Sequence, residues 1–313
     1  MASIAGPSTT SNDPNYLGML FLTGQNERPF TAMLGGIGGA KPVNTVNYPL
    51  NSNYSLNTAS QKTQSEDTAA TSSGSTSYAR VQAENTIQIM KEEIDSTYAN
   101  QSDVSTLAGL PNWMGDNPVT DKEAQQVALH LEQMANDLEF SLIQGTYVKK
   151  TASNVNSKTR GMLEACTSNA IDGGAIALTS TIFDSLTKTM ADNGANLGNG
   201  QCVVFVNSSQ KIAITDAYKL AERSTNVGGV NVETIVTNFG NLGVVYTPQM
   251  PQDEILVADM SIVSLAVLPY KGQALVLEDL AKDGASDRQM LYLQAGLDYG
   301  LESKHGKITN LAV

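Results

Sequence analysis

The feature that most constrains the fold is one long amphipathic helix near the middle of the chain. Thr120 and Glu123 have the spacing of a capping box, in which the two side chains bind free backbone N–H groups at a helix start. Apolar residues then recur at three- and four-residue spacing as far as Leu142, and Gly145 ends the pattern. The pattern predicts a helix over about residues 120–145, ~37 Å long at 1.5 Å per residue. We expect this helix to be the central element of its domain.

Downstream of this helix, helical and strand patterns are mixed. Thr179 is placed to cap a helix over residues 180–193, and the apolar run QCVVFV at residues 201–206 predicts a buried strand. Asn207 is placed to cap a further helix over about residues 208–220. Additional strands are predicted at residues 232–236, 243–246, 255–258, 264–269 and 290–301. This order indicates an α+β fold with at least one βαβ-like unit.

The first hundred residues lack the pattern of an independent domain. Apolar clusters at residues 16–22 and 30–37 predict two short helices or turns on an otherwise extended arm. Residues 43–56 and 78–96 alternate apolar and polar side chains, while residues 63–77 between them contain no apolar side chain larger than alanine. We predict a long projecting hairpin. Since such a hairpin is marginal alone in water, an ordered one needs cover from outside the subunit.

Composition and charge exclude several classes of protein. Only 16% of the residues are charged, against about 25% in ordinary soluble proteins, which suits surfaces that pack against neighbours. The net charge of −12 argues against a nucleocapsid-type clamp that binds phosphates through lysine and arginine. No apolar run approaches the ~18–20 residues of a membrane span, and the first residues lack the pattern of a signal peptide. We therefore expect a soluble protein made in the cytoplasm.

No motif in the sequence predicts catalysis. Residues 35–41 (GGIGGAK) superficially resemble a phosphate-binding loop but lack its Gly-Lys-Ser/Thr ending, so a flexible hinge is the better interpretation. His130 and His305 have no local partner pattern for a zinc site or a catalytic triad. Cys166 and Cys202 form no disulfide framework and are expected to be buried thiols. We expect no catalytic residue, no cofactor and no metal ion.

Three polar or aromatic features have structural interpretations. Asp137 and Glu139 lie on different faces of the long helix, and one or both are expected to meet a lysine or arginine from another segment or subunit. Trp113 is either a core plug at the entry to this helix or an interface anchor. The acidic residues between Asp253 and Asp259 bracket a strand without a calcium-binding pattern, which we interpret as a solvated strand edge.

The order and spacing of three blocks resemble the major capsid proteins of tailed bacteriophages, in the branch with short, unfused subunits. The resemblance covers most of the chain from about residue 85 to 311. The first block is residues 85–90 (NTIQIM) with 137–143 (DLEFSLI); the second is 160–164 (RGMLE) with 178–220; the third is 239–245 (FGNLGVV) with 250–269 and 301–311, which contains SKHGKI. No single block is as specific as a metal motif, so the resemblance rests on all three together.

This resemblance implies the capsid fold that the herpesvirus shell floor also shares. The chain would divide into an N-terminal arm (1–42), an E-loop β-hairpin (43–98), a P-domain with the long spine helix (99–165), an A-domain (166–248) and P-domain return strands (249–313). The implied function is a virion protein that forms pentamers and hexamers of an icosahedral shell around double-stranded DNA. The implied partners are further copies of the chain, a portal, a scaffolding protein or protease and a decoration protein. Sequence-specific DNA binding and membrane contact are not implied.

The resemblance also directs attention to contacts between subunits. The candidate contact residues are Phe30, Lys62, Glu66, Asp67, Trp113, Asp137 and Glu139. The chain lacks the charged helical leader of relatives with a fused scaffold, so scaffold and protease would be separate proteins. Lys62 lies near the hairpin tip without an identifiable asparagine partner, so covalent cross-linking is not predicted. The alternative hypothesis is a secreted or surface-layer structural protein; an enzyme with an unrecognised site is a third.

Overall fold

The computed structural model of the protein describes residues 27–54, 59–61, 65–66, 77–102, 122–218, 224–227, 230–282 and 284–313. Within these residues the helices are α1 (Pro29–Met33), α2 (Tyr98–Ser102), α3 (Lys122–Gln144), α4 (Met162–Ala165), α5 (Ser180–Asp192) and α6 (Ser208–Tyr218). The strands are β1 (Lys41–Pro42), β2 (Asn47–Tyr54), β3 (Arg80–Thr86), β4 (Gln88–Thr97), β5 (Ala170–Ile176), β6 (Cys202–Val206), β7 (Ser224–Val227), β8 (Val230–Thr237), β9 (Gly240–Tyr246), β10 (Ile255–Asp259), β11 (Ser264–Val267), β12 (Leu275–Asp279), β13 (Ser286–Asp298) and β14 (Gly306–Leu311).

The three predicted helices are confirmed, and so is the cap at Thr179. Helix α3 ends at Gln144, directly before the predicted stop at Gly145; the predicted cap at Thr120 lies outside the described residues. The hydroxyl of Thr179 accepts a hydrogen bond from the Ile182 N–H at 3.4 Å at the start of α5. Helix α6 begins directly after Asn207, whose backbone carbonyl accepts from the Lys211 N–H at 2.9 Å; the Asn207 side-chain oxygen accepts from the adjacent Ser208 N–H at 2.5 Å rather than from a residue further into the helix.

A five-stranded sheet supports α3. Its strands follow the order β1-β11-β13-β12, and β4 pairs with the other side of β13. The pairs are antiparallel except that between β1 and β11. Met134, Leu138 and Leu142 of α3 are buried in one core cluster with sheet residues that include Leu293 and Leu297. The helix therefore organises this lobe, as its length predicts.

A seven-stranded sheet forms the second lobe. Its order is β5-β14-β10-β6-β9-β8-β7, with α5 against β5 and β14 and α6 against β6 and β9. Strands β6 and β9 are parallel, which confirms the predicted βαβ-like unit, although its crossover holds the β7–β8 pair as well as α6. Strands β6 and β10 are buried at every residue because both lie in the interior of the sheet.

The interpretation of residues 253–259 as a solvated strand edge is wrong. Strand β10 lies between β14 and β6, and all five of its residues are buried. Its Ile-Leu-Val-Ala run is apolar on both faces, which is the pattern of a strand in the middle of a covered sheet. The carboxyl of Asp259 is buried too and accepts hydrogen bonds from the N–H and the hydroxyl of Ser261.

The predicted return strand of the hairpin is two strands. Strand β3 pairs with β2, whereas β4 leaves the hairpin after Ile87 and pairs with β13 over its whole length. The predicted boundary at residue 248 does not separate the sheets either, because β10 and β14 lie in the same sheet as β5, β6 and β9. Both differences arise from long-range pairing, which local alternation of side chains does not encode.

None of the described helices is long and apolar enough to span a membrane.

Candidate assembly surfaces

The hairpin of β2 and β3 has little cover from the residues that the structure describes. The first five residues of β3 are exposed, so both faces of its outer half are open. Tyr54, Tyr78 and Val81 are large exposed apolar residues in this region. Glu66, a predicted contact residue, is also exposed, while Lys62 and Asp67 lie outside the described residues. Within the described part of the chain, the outer half of the hairpin is thus an uncovered surface.

A buried asparagine fixes the base of this hairpin. The Asn85 side chain is fully buried, and its Oδ1 accepts hydrogen bonds from the N–H groups of Thr86 (2.8 Å) and Arg160 (2.9 Å). Its Nδ2 donates to the carbonyl oxygen of Leu297 at 2.7 Å, and the hydroxyl of Tyr48 donates to the same carbonyl at 2.8 Å. Burial, with a smaller contribution from Asp298, raises the pKa of the Tyr48 phenol, which therefore remains a donor. These bonds set the direction in which the hairpin leaves the lobe.

Sequence reasoning did not identify this clamp. In the sequence, Asn85 is notable only as the first residue of the block 85–90 that resembles the capsid family. Its signal is a polar residue at the inner end of an alternating strand, two residues before the apolar Ile87. An asparagine in that position is also common at a strand end, so the sequence alone does not distinguish a buried clamp from a turn residue.

Glu139 binds the start of α1 rather than a cation. Its carboxylate is fully buried and accepts hydrogen bonds from the N–H groups of Phe30 (3.1 Å) and Thr31 (2.7 Å), the Thr31 hydroxyl and the Thr247 hydroxyl (3.3 Å). Burial raises the pKa of Glu139, and the hydrogen bonds from Thr31, Phe30 and Thr247 oppose that shift. The carboxylate therefore occupies the place of an N-terminal cap on a helix that has no side-chain cap of its own.

Phe30 and Glu139 were predicted to contact neighbouring subunits, but both side chains lie inside their own subunit. The Phe30 ring is fully buried and packs edge-on against Phe205, with 5.1 Å between the ring centroids. Because neither side chain has accessible surface, neither reaches a neighbouring molecule. Arg28 provides a further tie in the same region, since its guanidinium forms an ion pair with Glu132 and donates to the Asn136 side chain at 3.2 Å. The chain is thus fixed to α3 from Arg28 onward.

Asp137 remains accessible on α3. Its carboxylate accepts a hydrogen bond from the Gln133 amide at 2.8 Å. Among the described residues, neither Asp137 nor Glu139 pairs with a lysine or arginine, in contrast to the expectation for one or both. Asp137 is half-buried, so a cation from a neighbouring subunit can still reach it. Trp113 lies outside the described residues.

Buried polar groups also tie the C-terminal segment to the rest of the subunit. His305 is fully buried; its Nε2 contacts the carbonyl oxygen of Tyr299 at 2.7 Å and its Nδ1 accepts from the N–H of Asp259 at 3.2 Å. These contacts fit a neutral imidazole protonated on Nε2, and burial lowers the pKa of His305 accordingly. Burial raises the pKa of Cys166 and of Cys202 to about 12, so both are unreactive buried thiols, as expected.

Glu302 carries the other polar tie of this segment. Its carboxylate accepts hydrogen bonds from the N–H groups of Thr167 and Ser168, each at 3.1 Å, and from both hydroxyls. Burial alone would raise the pKa of Glu302, but these hydrogen bonds outweigh it and the net shift is downward. Across the described part of the chain, no group of three or more histidine, cysteine or acidic side chains is arranged to hold a metal ion.

A helix packed on one sheet, a second sheet beside it and a projecting hairpin define a capsid-type shell subunit. The capsid of cyanophage A-1(L) has a similar fold (TM-score 0.63, 11% identity, 96% of each chain covered). So has the capsid of the native GTA particle (TM-score 0.58, 13% identity, 100% of this chain and 97% of that chain covered). The holo-SrpI encapsulin complex of Synechococcus elongatus PCC 7942 is also similar (TM-score 0.53, 12% identity, 87% and 84% covered). At these identities the likeness shows the fold alone.

The family model settles the membership that the fold leaves open. The model of the SU10 major capsid protein matches residues 3–312, nearly the whole chain. This chain belongs to the SU10 major capsid protein family, and its function is to form a capsid shell as part of a phage virion. No curated protein matches the chain. The predicted fold class and function are confirmed, and the alternative of a secreted or surface-layer protein is set aside.

Proposed function

We propose that copies of this chain form the pentamers and hexamers of an icosahedral phage head that encloses double-stranded DNA. The observation that carries the proposal is the β2–β3 hairpin, whose outer half is exposed on both faces and carries Tyr54, Tyr78 and Val81. Apolar residues on a two-stranded hairpin favour burial against a neighbour. The net charge of −12 suits a wall that does not bind the packaged nucleic acid tightly. The role is structural, and we propose no catalysed reaction.

The proposed division of the subunit follows the family. Residues 1–42 form the arm, 43–98 contain the E-loop, 99–165 and the larger part of 249–313 form the P-domain, and 166–248 form most of the A-domain. The strand pairing supports an E-loop whose projecting part is confined to β2, β3 and the residues between them, because β4 belongs to the P-domain sheet. It also supports an A-domain sheet completed by β10 and β14 from the last part of the chain.

The proposed contacts between subunits are those candidates that the fold leaves accessible. Glu66 near the hairpin tip and Asp137 on α3 are accessible, and Lys62, Asp67 and Trp113 remain candidates from the sequence. A portal, a separate scaffolding protein or protease and a decoration protein are proposed as further partners. Each contact is weak alone, and many contacts per copy make a closed shell stable.

Deletion of residues 63–77 tests the proposed role of the hairpin. The Asn85 clamp lies at the base and is retained, so the shortened chain is expected to fold and stay soluble but to form no regular shells. A control chain with a Gly/Ser linker of equal length in place of residues 63–77 separates the effect of loop length from that of its side chains. Electron microscopy of the purified proteins gives the readout. Normal shells from the deletion variant contradict the proposed role.

A further inference from the structure

Two Asn–Gly pairs lie close together in the chain, at Asn193–Gly194 and Asn199–Gly200. An asparagine followed by glycine is especially prone to spontaneous loss of its side-chain amide. The reason is that glycine has no side chain to hinder attack of its own backbone nitrogen on the asparagine Cγ atom. Because the two pairs are chemically identical, a difference between their reactivities in the native protein has to come from the fold.

The first pair is restrained at both atoms that take part in the reaction. The Gly194 N–H, which carries the attacking nitrogen, donates to the Ala191 carbonyl oxygen at 3.0 Å where α5 ends. The Nδ2 of Asn193, which would be the leaving group, donates to Oδ1 of the buried Asn169 at 2.6 Å. Reaction at Asn193 therefore requires that both hydrogen bonds be broken.

The second pair has no such restraint on its nitrogen. Asn199 is the last residue of a 3₁₀ turn (Leu197–Asn199), and both Asn199 and Gly200 are exposed. Among the residues that the structure describes, none accepts a hydrogen bond from the Gly200 N–H. Gly200 has a φ of +72°, and a Cβ built on it would meet nothing within 4 Å. The nitrogen of Gly200 is thus free to lose its proton and attack.

The side chain of Asn199 is already turned towards its own backbone. Its Oδ1 accepts a hydrogen bond from the Gln201 N–H at 2.9 Å, the arrangement of an Asx turn, which directs Cγ towards the intervening Gly200 peptide. The same N–H stabilises the negative charge that forms on Oδ1 when the nitrogen attacks Cγ. The local fold therefore favours both the approach of the two atoms and the intermediate that follows.

We propose that Asn199 is a site of spontaneous deamidation in the native protein, whereas Asn193 is protected from it. The Gly200 nitrogen forms a bond to Cγ of Asn199 and gives up its proton to water or hydroxide. The Cγ–Nδ2 bond breaks, and Nδ2 gains a proton and leaves as ammonia. Water then opens the cyclic imide at one of its two carbonyl carbons. Opening at the backbone carbonyl leaves an isoaspartyl linkage, and opening at Cγ leaves aspartate at position 199.

The new carboxylate also weakens a link between the two lobes. The Nδ2 of Asn199 donates to Oδ2 of Asp259 at 3.4 Å, and Asp259 is buried. Deamidation replaces this donor by a second negative charge, and like charges at so short a distance repel each other. Asp259 holds the start of the connection from β10 to β11 through the N–H (3.0 Å) and hydroxyl (2.6 Å) of Ser261. The chain crosses there from the seven-stranded to the five-stranded sheet.

Mass spectrometry of the purified full-length chain tests the site. Native protein is incubated at mildly alkaline pH, and trypsin then releases both pairs in one peptide, residues 189–211, whose fragments locate the gain in mass. A sample taken at the start corrects for conversion during digestion. We expect position 199 to convert at least about fivefold faster than position 193, the factor that corresponds to one hydrogen bond that must first be broken.

The same chain unfolded in urea is the control. The hydrogen bonds of both pairs are then lost, so positions 193 and 199 are expected to convert at similar rates. If position 199 does not convert in the native protein, or converts no faster than position 193, the proposal is overturned. The same holds if the preference for position 199 is as large in urea as in the native protein, because the fold would then not be its cause.

Two variants test the effect on the link to Asp259. Asn199→Asp reproduces one product of the reaction, and Asn199→Ala removes the same donor without adding a charge. Position 199 is exposed, so both variants are expected to fold. We expect the thermal midpoint of Asn199→Asp to be roughly 2 °C or more below that of Asn199→Ala at neutral pH. Equal midpoints for the two variants overturn the proposed weakening of the link.

Discussion

Glu139 provides a sharp test of how the start of the described chain is held. In the variant Glu139→Ala, the N–H groups of Phe30 and Thr31 lose their acceptor in a site closed to water. A buried donor without a partner costs about 1–3 kcal/mol. Two such N–H groups therefore lower the free energy of unfolding by roughly 2–6 kcal/mol. The hydroxyls of Thr31 and Thr247 add nothing to this figure, because they can rotate towards other acceptors.

The cost of burying the Glu139 carboxylate opposes this loss of stability and places it near the lower end of the roughly 2–6 kcal/mol range. Burial raises the pKa of Glu139, so the ionised carboxylate itself is unfavourable in this site and its removal returns part of the loss. We expect the alanine variant to be destabilised by about 2–3 kcal/mol, or roughly 3–5 °C in thermal midpoint for a chain of this length. Glu139→Gln keeps the size and one acceptor oxygen and buries no charge, so we expect a loss of about 1 kcal/mol.

Limited proteolysis with chymotrypsin measures directly whether Glu139 holds the start of α1 against α3. Phe30 is fully buried in the native subunit, and cleavage after it requires α1 to leave α3. Cleavage there, followed by mass spectrometry, is expected to be fast in Glu139→Ala and slow in both wild type and Glu139→Gln. If the alanine variant is as stable and as resistant as wild type, the carboxylate does not hold the helix. If glutamine is as damaging as alanine, the charge matters rather than the acceptor.

Two further predictions concern His305 and Gly240. Burial lowers the pKa of His305 below its ordinary 6.5, so the neutral imidazole stabilises the fold above pH 6.5 and this stabilisation is lost as the pH falls. The variant His305→Gln keeps a donor and an acceptor but does not titrate, so its thermal midpoint should fall less than that of wild type between pH 6.5 and about 5. Equal falls in the two proteins would refute the role of His305. In Gly240→Ala the new Cβ would lie 2.3 Å from the Leu197 carbonyl oxygen, so we expect a loss of about 1–3 kcal/mol in thermal unfolding. The control Gly38→Ala meets nothing within 4 Å and should match wild type; equal stability of the two variants would contradict the reasoning.

The elements that the sequence predicted correctly are those whose signal is local. A capping residue, a helical repeat and a stop residue lie within a few turns of one another, as in α5 with Thr179. The apolar run of β6 likewise predicts a fully buried strand by itself. Such signals need no knowledge of the rest of the fold, because backbone groups at a helix start and apolar faces are satisfied by near neighbours or by burial alone.

The elements that were missed depend on partners far away in the chain. The partner of Glu139 is an N–H pair more than a hundred residues before it, and no periodicity in α3 indicates a buried carboxylate there. Strand β4 has the same alternation as β3, yet it pairs with β13, almost two hundred residues later. A carboxylate on a helix is usually solvated or paired with a cation, which is why a lysine or arginine partner was expected for Glu139. In the structure its partners are the N–H groups at the start of α1.

The distribution of satisfied and open polar groups argues that the subunit folds before it assembles. Most of its buried polar side chains, such as Asn85, Glu139 and His305, have hydrogen-bond partners within the same subunit. Among the described residues, the exceptions are the buried side-chain oxygens of Gln210 and Gln289. The large exposed apolar residues of the hairpin, Tyr54, Tyr78 and Val81, lie at the surface instead. Substitutions at these exposed residues should therefore alter shell formation without altering the fold, and substitutions at Asn85 or Glu139 should do both.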